Sequence, residues 1–590
     1  MAETLNAYLE RAGGRPEDGG LRFVDRGERE RWMGWAELRD RARAVCGGLQ
    51  ELGVQRGDRI ALVFPTGPEF FEAFFGALLA GAVPAPLYPP VRLGRLDEYL
   101  CRTARMLEVT KAVVVLADVR VKRILGEAVV MARPRFGCRT LDDLPRAAGA
   151  PVAASPSDLA LVQFSSGTTV DPKPVALSHR GVVAQTEILN SFFLDTPELR
   201  HSCVSWLPLY HDMGLIGCVF PALARQAELT LIGPEHFVAR PALWLRAISR
   251  YRATISPAPN FAYGLCVHRI ADAEMEGVDL SSWQTALNGA EAVAPSVLRA
   301  FVDRFARWGF RPEALSPVYG LSEAALAVTF SGLAEPFRSR RFDRDGLSRG
   351  AACEVADGRE IVSVGRPVPG FRLRILDEAG RELPAGRVGR VWITGPSLME
   401  GYLDDPAATA RAMRDGWLDT GDLGFLQAGP EGEELFLTGR AKDVVILNGR
   451  NYAPDEIERA VDGLPGVRTG CAIAASWLPE NAEGEVLALF VEAARGACGD
   501  DLAALPERCR EAVIGATGLS VDRVEVLAPG TLPRTSSGKL RRQEALRLYL
   551  AGTLAPPDPV TPLRMAKAMA RSGLAYGRLR WGRAGAGPRE

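Results

Sequence analysis

The stretch LVQFSSGTTVDPKPVALSHR, residues 161–180, decides how the rest of the chain is read. It continues an apolar run, Leu159 to Phe164, whose length and composition predict a buried strand. The run breaks into Ser165, Ser166, Gly167, Thr168 and Thr169, and Lys173 follows four residues later. Small side chains let backbone N–H groups and hydroxyls approach phosphate oxygens, and a following helix N-terminus favours negative charge. The order of strand, hydroxyl-rich turn and lysine therefore predicts a nucleoside triphosphate at the strand end. Taken alone, such a turn is read more simply as a solvated loop. The spacing is not GxxxxGK[ST], which argues against a P-loop NTPase. What lies downstream decides the matter.

At 590 residues the chain is too long for one core, so two or more domains are expected. Hydrophobic residues make up 47% and the formal net charge is −1, so the broad basic surface of a nucleic-acid binder is not expected. Ten cysteines are scattered without a CxxC pair, and five histidines show no HxxxH spacing. These cysteines read as small buried hydrophobes in a reducing compartment rather than as zinc ligands. The start MAETLNAYLERAGG lacks the basic-then-apolar pattern of a secretory signal, and no apolar run approaches the ~20 residues of a membrane span. A cytoplasmic location is expected.

Outward from the central stretch, helix and strand patterns alternate. Residues 36–53 show helical spacing and stop at Gly53; Arg59–Phe64 and Ala112–Ala117 read as strands; Glu69–Leu79 reads as an aromatic-rich helix. This alternation predicts an α/β domain with mostly parallel strands. From Val364 short strands with Gly turns predict an antiparallel sheet or small barrel. Residues 443–550 read as a separate small α+β unit. Residues 551–590, rich in Pro, Ala, Gly and Arg, read as a disordered solvated tail, with a short basic helix near Leu563–Ala570 as the alternative. His211 and Asp212 stand together inside the apolar run 205–217, where burying polar groups requires partners. Tyr319, Gly320, Ser322 and Glu323 fall at an expected strand-to-helix junction.

Seven motifs, SSGTTVDPK, WLPLYHDMG, NGAE, YGLSEA, DTGDLG, GRAKDVVI and PRTSSGKL, occur in one order over residues 23–542. Together they resemble the adenylate-forming superfamily of acyl-CoA synthetases, peptide-synthetase adenylation domains and luciferases. Within it the chain is most similar to the fatty acyl-AMP ligases. The residues that carry this are Pro86 to Pro90, Pro259 to Tyr263 and Asn288 to Glu291, with residues 338–362 standing where those ligases carry an extra segment. The resemblance implies a large N-terminal domain, residues 1–441, of two α/β subdomains and a distorted β-barrel. It also implies a smaller mobile α+β domain, residues 442–550. The implied reaction turns a fatty acid and ATP into acyl-adenylate and pyrophosphate, and passes the acyl group to an acyl carrier protein.

The same resemblance assigns roles. Ser165, Ser166, Gly167, Thr168, Thr169 and Lys173 would hold the phosphates. Glu323 would hold Mg²⁺, helped by Thr169 or Ser322. Asn288, Gly289, Ala290, Tyr319 and Gly320 would frame adenine, and Asp422 and Arg440 would bind ribose. Lys539 would be the catalytic cation, brought in and withdrawn about a hinge at Lys442. His211 would line the passage to the thiol, and Trp206, Met213, Phe261 and Leu265 would wall the acyl chain. Two residues depart from the family's phosphate loop, where glycine is common: Val170 and Pro174. Valine resists positive φ and proline lacks an N–H. An acyl-CoA synthetase and a non-catalytic acyl or nucleotide binder are the alternatives.

Overall fold

The computed structural model describes residues 3–14, 19–90, 93–147, 149–165, 172–197, 199–447, 450–479, 485–494, 496–497, 500–535 and 538–584. Its N-terminal part is built on parallel sheets. Arg59–Val63 lies between Val83–Pro86 and Val114–Ala117, with Cys138–Arg139 at the edge, all parallel. Val114–Ala117 is buried along its whole length, as expected of a parallel strand covered on both faces. The helix Pro68–Leu79 covers this region with Phe70, Phe71, Phe74 and Phe75, all fully or nearly buried and meeting edge-to-face at 5.3–5.6 Å between neighbours in sequence.

A second sheet runs Glu30–Gly34, Gly20–Val24, Glu228–Ile232, Cys203–Ser205. Bridges from Cys203 to Ile255 and from Ile255 to Thr285 continue it into a third, ordered Ala258–Pro259, Ala286–Gly289, Leu315–Gly320, Ala327–Phe330, Arg366–Pro367. The barrel-like portion is the antiparallel set Arg372–Leu376, Gly389–Thr394, Trp417–Gly429 and Gly432–Arg440. The smaller lobe has a sheet of Val467–Trp477, Val486–Ala493 and Arg523–Leu527. It has its own cores. Ile457, Leu489 and Leu505 pack on one side of that sheet, and Ile473, Phe490 and Leu532 on the other. At the junction the Ala441 N–H donates to the Gly421 carbonyl (3.0 Å) in the large lobe. One residue later the Lys442 carbonyl accepts from the Gln543 amide (2.8 Å) in the small one.

Residues 338–362 fold as two antiparallel strands, Ser339–Phe342 and Arg359–Val362, around the helix Arg344–Ser348. They touch both lobes: Arg299 pairs with Glu360 on the large side, and Arg344 reaches Glu456 (2.7 Å) and Arg359 reaches Asp455 (3.2 Å) on the small side.

Three expectations are corrected. The phosphate-loop stretch does not lead into a helix. Pro174–Ser178 is a strand antiparallel to Leu159–Phe164, and the helix His179–Ser191 begins only after it. The Tyr319 junction is strand-to-strand: one short turn, Ser322–Ala324, returns the chain as Ala327–Phe330 antiparallel to Leu315–Gly320. Within the C-terminal stretch residues 562–584 are not a disordered tail, and residues 585–590 lie outside the described residues. Pro562–Ala584 is a helix that lays Met565, Ala568 and Tyr576 on the apolar cluster beneath the helices Leu96–Thr110 and Gly126–Ala132. Ser572 accepts from the Gly126 N–H at 2.8 Å, and Arg571 pairs with Glu127 and Asp97. Composition misled because the apolar residues that fix the helix face a partner more than 400 residues away.

Candidate active site

The register of the barrel strands builds one wall. Asp422 lies opposite Arg440 in the antiparallel pair Trp417–Gly429 and Gly432–Arg440, and the Arg440 Nε stands 3.3 Å from Asp422 Oδ1. Tyr319, near the end of Leu315–Gly320, donates from its hydroxyl to Asp422 Oδ2 at 2.6 Å. Burial and then the Asp422 charge push the Tyr319 hydroxyl well above its ordinary pKa, while Asp422 raises that of Arg440. Gly320 is required here, since a Cβ would stand 1.8 Å from the Leu326 carbonyl.

A second wall joins two loops. His211 Nδ1 lies 2.6 Å from Asp212 Oδ1, which also accepts from the Met213 N–H (2.7 Å), and the Ser322 hydroxyl donates to Asp212 Oδ2. Burial works against the Asp212 charge, but His211, Ser322 and Lys539 outweigh it and hold the carboxyl well below the usual range. Beside it, the Tyr402 hydroxyl donates to Glu323 Oε1 at 2.9 Å and accepts from Lys173 Nζ at 3.3 Å. The Ser165 N–H donates to the Lys173 carbonyl (2.9 Å), which closes the base of the loop between them. Ser166, Gly167, Thr168, Thr169 and Val170 lie outside the described residues. Pro174 starts its strand, where a missing N–H is tolerated, and its carbonyl accepts from the Leu403 N–H at 2.8 Å.

Lys539 comes from the small lobe. It sits on a tight turn in which its N–H donates to the Thr535 hydroxyl (3.0 Å) and Gly538 takes φ +95°. Its side chain enters the same cavity, of about 690 Å³, that Asp422, Glu323 and Lys173 line. Burial and then the Arg440 guanidinium push the amine below its ordinary pKa, against Glu291, Asp212 and Asp422, which favour its charge. Lys442 lines the cavity as well, with burial and Arg440 acting on it in the same direction.

His211, Met213, Ala290, Tyr319, Gly320 and Ser322 also reach this cavity, as do Ser165 and Arg440. Its apolar portion is lined by Met213 with Leu189, Gly217, Leu326 and Phe330. Trp206, Phe261 and Leu265 are not on that wall. Trp206 stacks on Phe237 at 3.9 Å and meets Phe261 edge-on at 5.9 Å, while Leu265 packs against the core. Asn288 and Gly289 lie behind the lining on the strand Ala286–Gly289. Leu326, Phe330 and Tyr402 carry no sequence signal strong enough to single them out. Glu291 stands in the NGAE motif, and it accepts from the Phe261 N–H at 2.6 Å.

The donor sets fit a nucleotide and a hard cation. Asp422 and Arg440 offer an acceptor and a donor to ribose hydroxyls and Lys173 a cation to phosphate, while both amide atoms of Asn288, behind the lining, are buried without a partner among the described residues. No group of three His, Cys, Asp or Glu among the described residues is placed to hold a metal ion. Glu323 lines the cavity without two further ligands grouped around it among the described residues, which suits an ion that completes its shell from phosphates and water, as Mg²⁺ does. Among the described residues no helix is long and apolar enough to cross a membrane.

The profile of the AMP-binding enzymes matches residues 10–403. A Caulobacter vibrioides protein, named provisionally as an acyl-CoA synthetase, is 37% identical over 90% of this chain and 92% of its own. A long-chain-fatty-acid–AMP ligase of Mycobacterium tuberculosis is 32% identical over 92% of this chain and 96% of its own. A structure from a study of fatty acyl-adenylate ligases of E. coli and L. pneumophila superposes with a TM-score of 0.86 at 34% identity, covering 93% of this chain and 98% of that one. A profile match over more than half the chain, with relatives that span nearly all of it, makes this chain a member of the AMP-binding enzymes and an AMP-forming ligase.

Proposed function

We propose that this ligase activates a fatty acid with ATP and hands the acyl group to the phosphopantetheine thiol of an acyl carrier protein, in the cytoplasm. The observation that carries the reading is the convergence of Lys539, Glu323, Lys173 and the Tyr319–Asp422–Arg440 wall on one cavity with an apolar extension.

A carboxylate oxygen attacks the α-phosphorus; the bond from that phosphorus to the bridging oxygen breaks, and pyrophosphate leaves. Repulsion between the two anions is the obstacle, so oriented cations and donors supply most of the catalysis. Asp422 and Arg440 would hold the ribose hydroxyls, and Tyr319 with Ala290, Gly289 and Asn288 would frame adenine. Lys173, and the hydroxyls of residues 165–169, would hold the β- and γ-phosphates. Glu323 would hold Mg²⁺, with Ser322 or Thr169 beside it; when bound, the ion neutralises phosphate charge. Lys539 would bridge the carboxylate and the α-phosphate. Rotation of the small lobe about Lys442 would then withdraw it and admit the thiol past His211. The thiol sulfur attacks the acyl carbon, its bond to AMP breaks, and the thiol proton passes to solvent.

The acyl chain would lie along Met213, Leu326 and Phe330 rather than Trp206, Phe261 and Leu265. At ~0.8 kcal/mol per buried CH₂, cavity depth sets chain length. Acid-dependent ATP–pyrophosphate exchange across carboxylates from short to long tests the first half-reaction; absence of exchange with every acid would leave a non-catalytic binder. Transfer to carrier protein against CoA tests the second. The name of the Caulobacter relative favours CoA as the alternative acceptor, and robust acyl-CoA turnover would establish it.

A further inference from the structure

Tyr402 is absent from every role above, yet it stands at the seam between the two charged groups that must act on the phosphates. Its strand, Gly401–Tyr402, pairs with Pro174–Ser178, placing Tyr402 opposite Val175, two residues from Lys173. On the other side the Met399 N–H donates to the Glu323 carbonyl at 2.8 Å. The same short segment is thus hydrogen-bonded to the strand that leaves the phosphate loop and to the turn that carries Glu323.

The side chain repeats this bridge. A phenol has one hydrogen to donate and lone pairs with which to accept. The hydrogen goes to Glu323 Oε1 (2.9 Å), and the oxygen accepts from Lys173 Nζ (3.3 Å), whose amine also lies 4.5 Å from the ring centroid. Lys173 and Glu323 therefore meet the same hydroxyl, one donating to it and one accepting from it, and no ion pair joins them among the described residues. Lacking that hydroxyl, an ammonium and a carboxylate at this separation would attract each other directly. Each would then have to be pulled from the other before it could meet a phosphate or a metal ion. The ring is buried, 7% exposed, and the Tyr402 N–H donates to the Thr409 hydroxyl at 2.9 Å, so the phenol has little freedom to leave its place.

We infer that Tyr402 is a positioning residue that keeps Lys173 and Glu323 apart, the amine available to the β- and γ-phosphates and the carboxylate to their cation. The inference rests on the nucleotide reading of the cavity. It acts only where the terminal phosphates lie, so it separates ATP from AMP, which contacts only the Tyr319–Asp422–Arg440 wall.

The test is calorimetric titration of the full chain and its Tyr402→Phe variant with MgATP and with AMP, alongside thermal melts. The variant should bind MgATP about tenfold more weakly, the scale of a lost charge-assisted hydrogen bond, and AMP as the parent does. In a Lys173→Met background, where no amine remains to be held off, the further change Tyr402→Phe should leave the ratio of MgATP to AMP affinity unaltered. An unchanged ratio in the single variant would overturn the inference, as would equal weakening toward both nucleotides. A collapse of the melting temperature would also overturn it, since it would show the hydroxyl to be structural. Failure of the parent chain to bind either nucleotide would instead sink the nucleotide reading itself.

Discussion

The Tyr319–Asp422–Arg440 wall and the Lys539 turn hold their key groups in different ways. Tyr319, Asp422 and Arg440 belong to the large lobe; strand register fixes Asp422 3.3 Å from Arg440, and the Tyr319 hydroxyl donates to Asp422 at 2.6 Å. Lys539 belongs to a lobe with its own cores and reaches the cavity only across the junction at Ala441 and Lys442. The first arrangement is preorganised and suits binding, which must persist through both half-reactions. The second depends on lobe placement and suits a group needed for one step only. On the function proposed above, a second step that admits a thiol where a lysine stood gives reason to keep these two kinds of group on separate lobes.

That contrast predicts a separation of effects. Lys539→Ala should lower acid-dependent ATP–pyrophosphate exchange about thousandfold, the scale of losing a principal oriented charge, with AMP affinity by calorimetry changed less than about threefold. Equal losses in binding and exchange would erase the distinction. Asp422→Ala should do the reverse in kind: AMP and ATP affinities should fall together by roughly thirtyfold, as expected when two charge-assisted contacts are lost, and an unchanged affinity would remove Asp422 from the wall.

The pH profile sharpens the same comparison. Burial and Arg440 hold the Lys539 amine below its ordinary pKa. In the proposed mechanism adenylation uses the charged amine, so exchange should decline as pH rises through that lowered value, with an alkaline limb below the ~10.4 of a free lysine. Arg440→Gln should move the limb upward and Glu291→Gln downward, because the first removes a repelling cation and the second a stabilising carboxylate. A limb that ignores both changes would mean another group titrates there. The smallest effect belongs to the C-terminal helix: ending the chain after Leu550 should lower the melting temperature by a few degrees, through the lost packing of Met565, Ala568 and Tyr576. Exchange by the remaining chain should persist, and an unshifted melt would show the helix to contribute nothing.

Much of the cavity was legible because its residues sit in ordered motifs: Tyr319, Glu323, Asp422, Arg440 and Lys539 converge as the resemblance implies. What escaped reading depends on long-range packing. Tyr402 matters through side chains 79 and 229 residues away, and its own surroundings, GYLDD, announce nothing. Leu326 and Phe330 look like ordinary core residues until the turn at Ser322–Ala324 folds their strand back on the cavity. Trp206 and Phe261 meet each other edge-on in an aromatic cluster and do not line the cavity that Lys539 enters. The fold class followed from alternating helix and strand patterns, whereas the C-terminal helix was missed because its partner surface is remote in sequence.

The most direct test of a lysine that serves one half-reaction is to supply the other half. Lys539→Ala, given synthetic acyl-adenylate and an acceptor thiol, should form thioester at a rate within a few-fold of the parent while making no adenylate from ATP and acid. Loss of both activities to the same extent would contradict the account, because it would place Lys539 in a fixed site shared by the two steps.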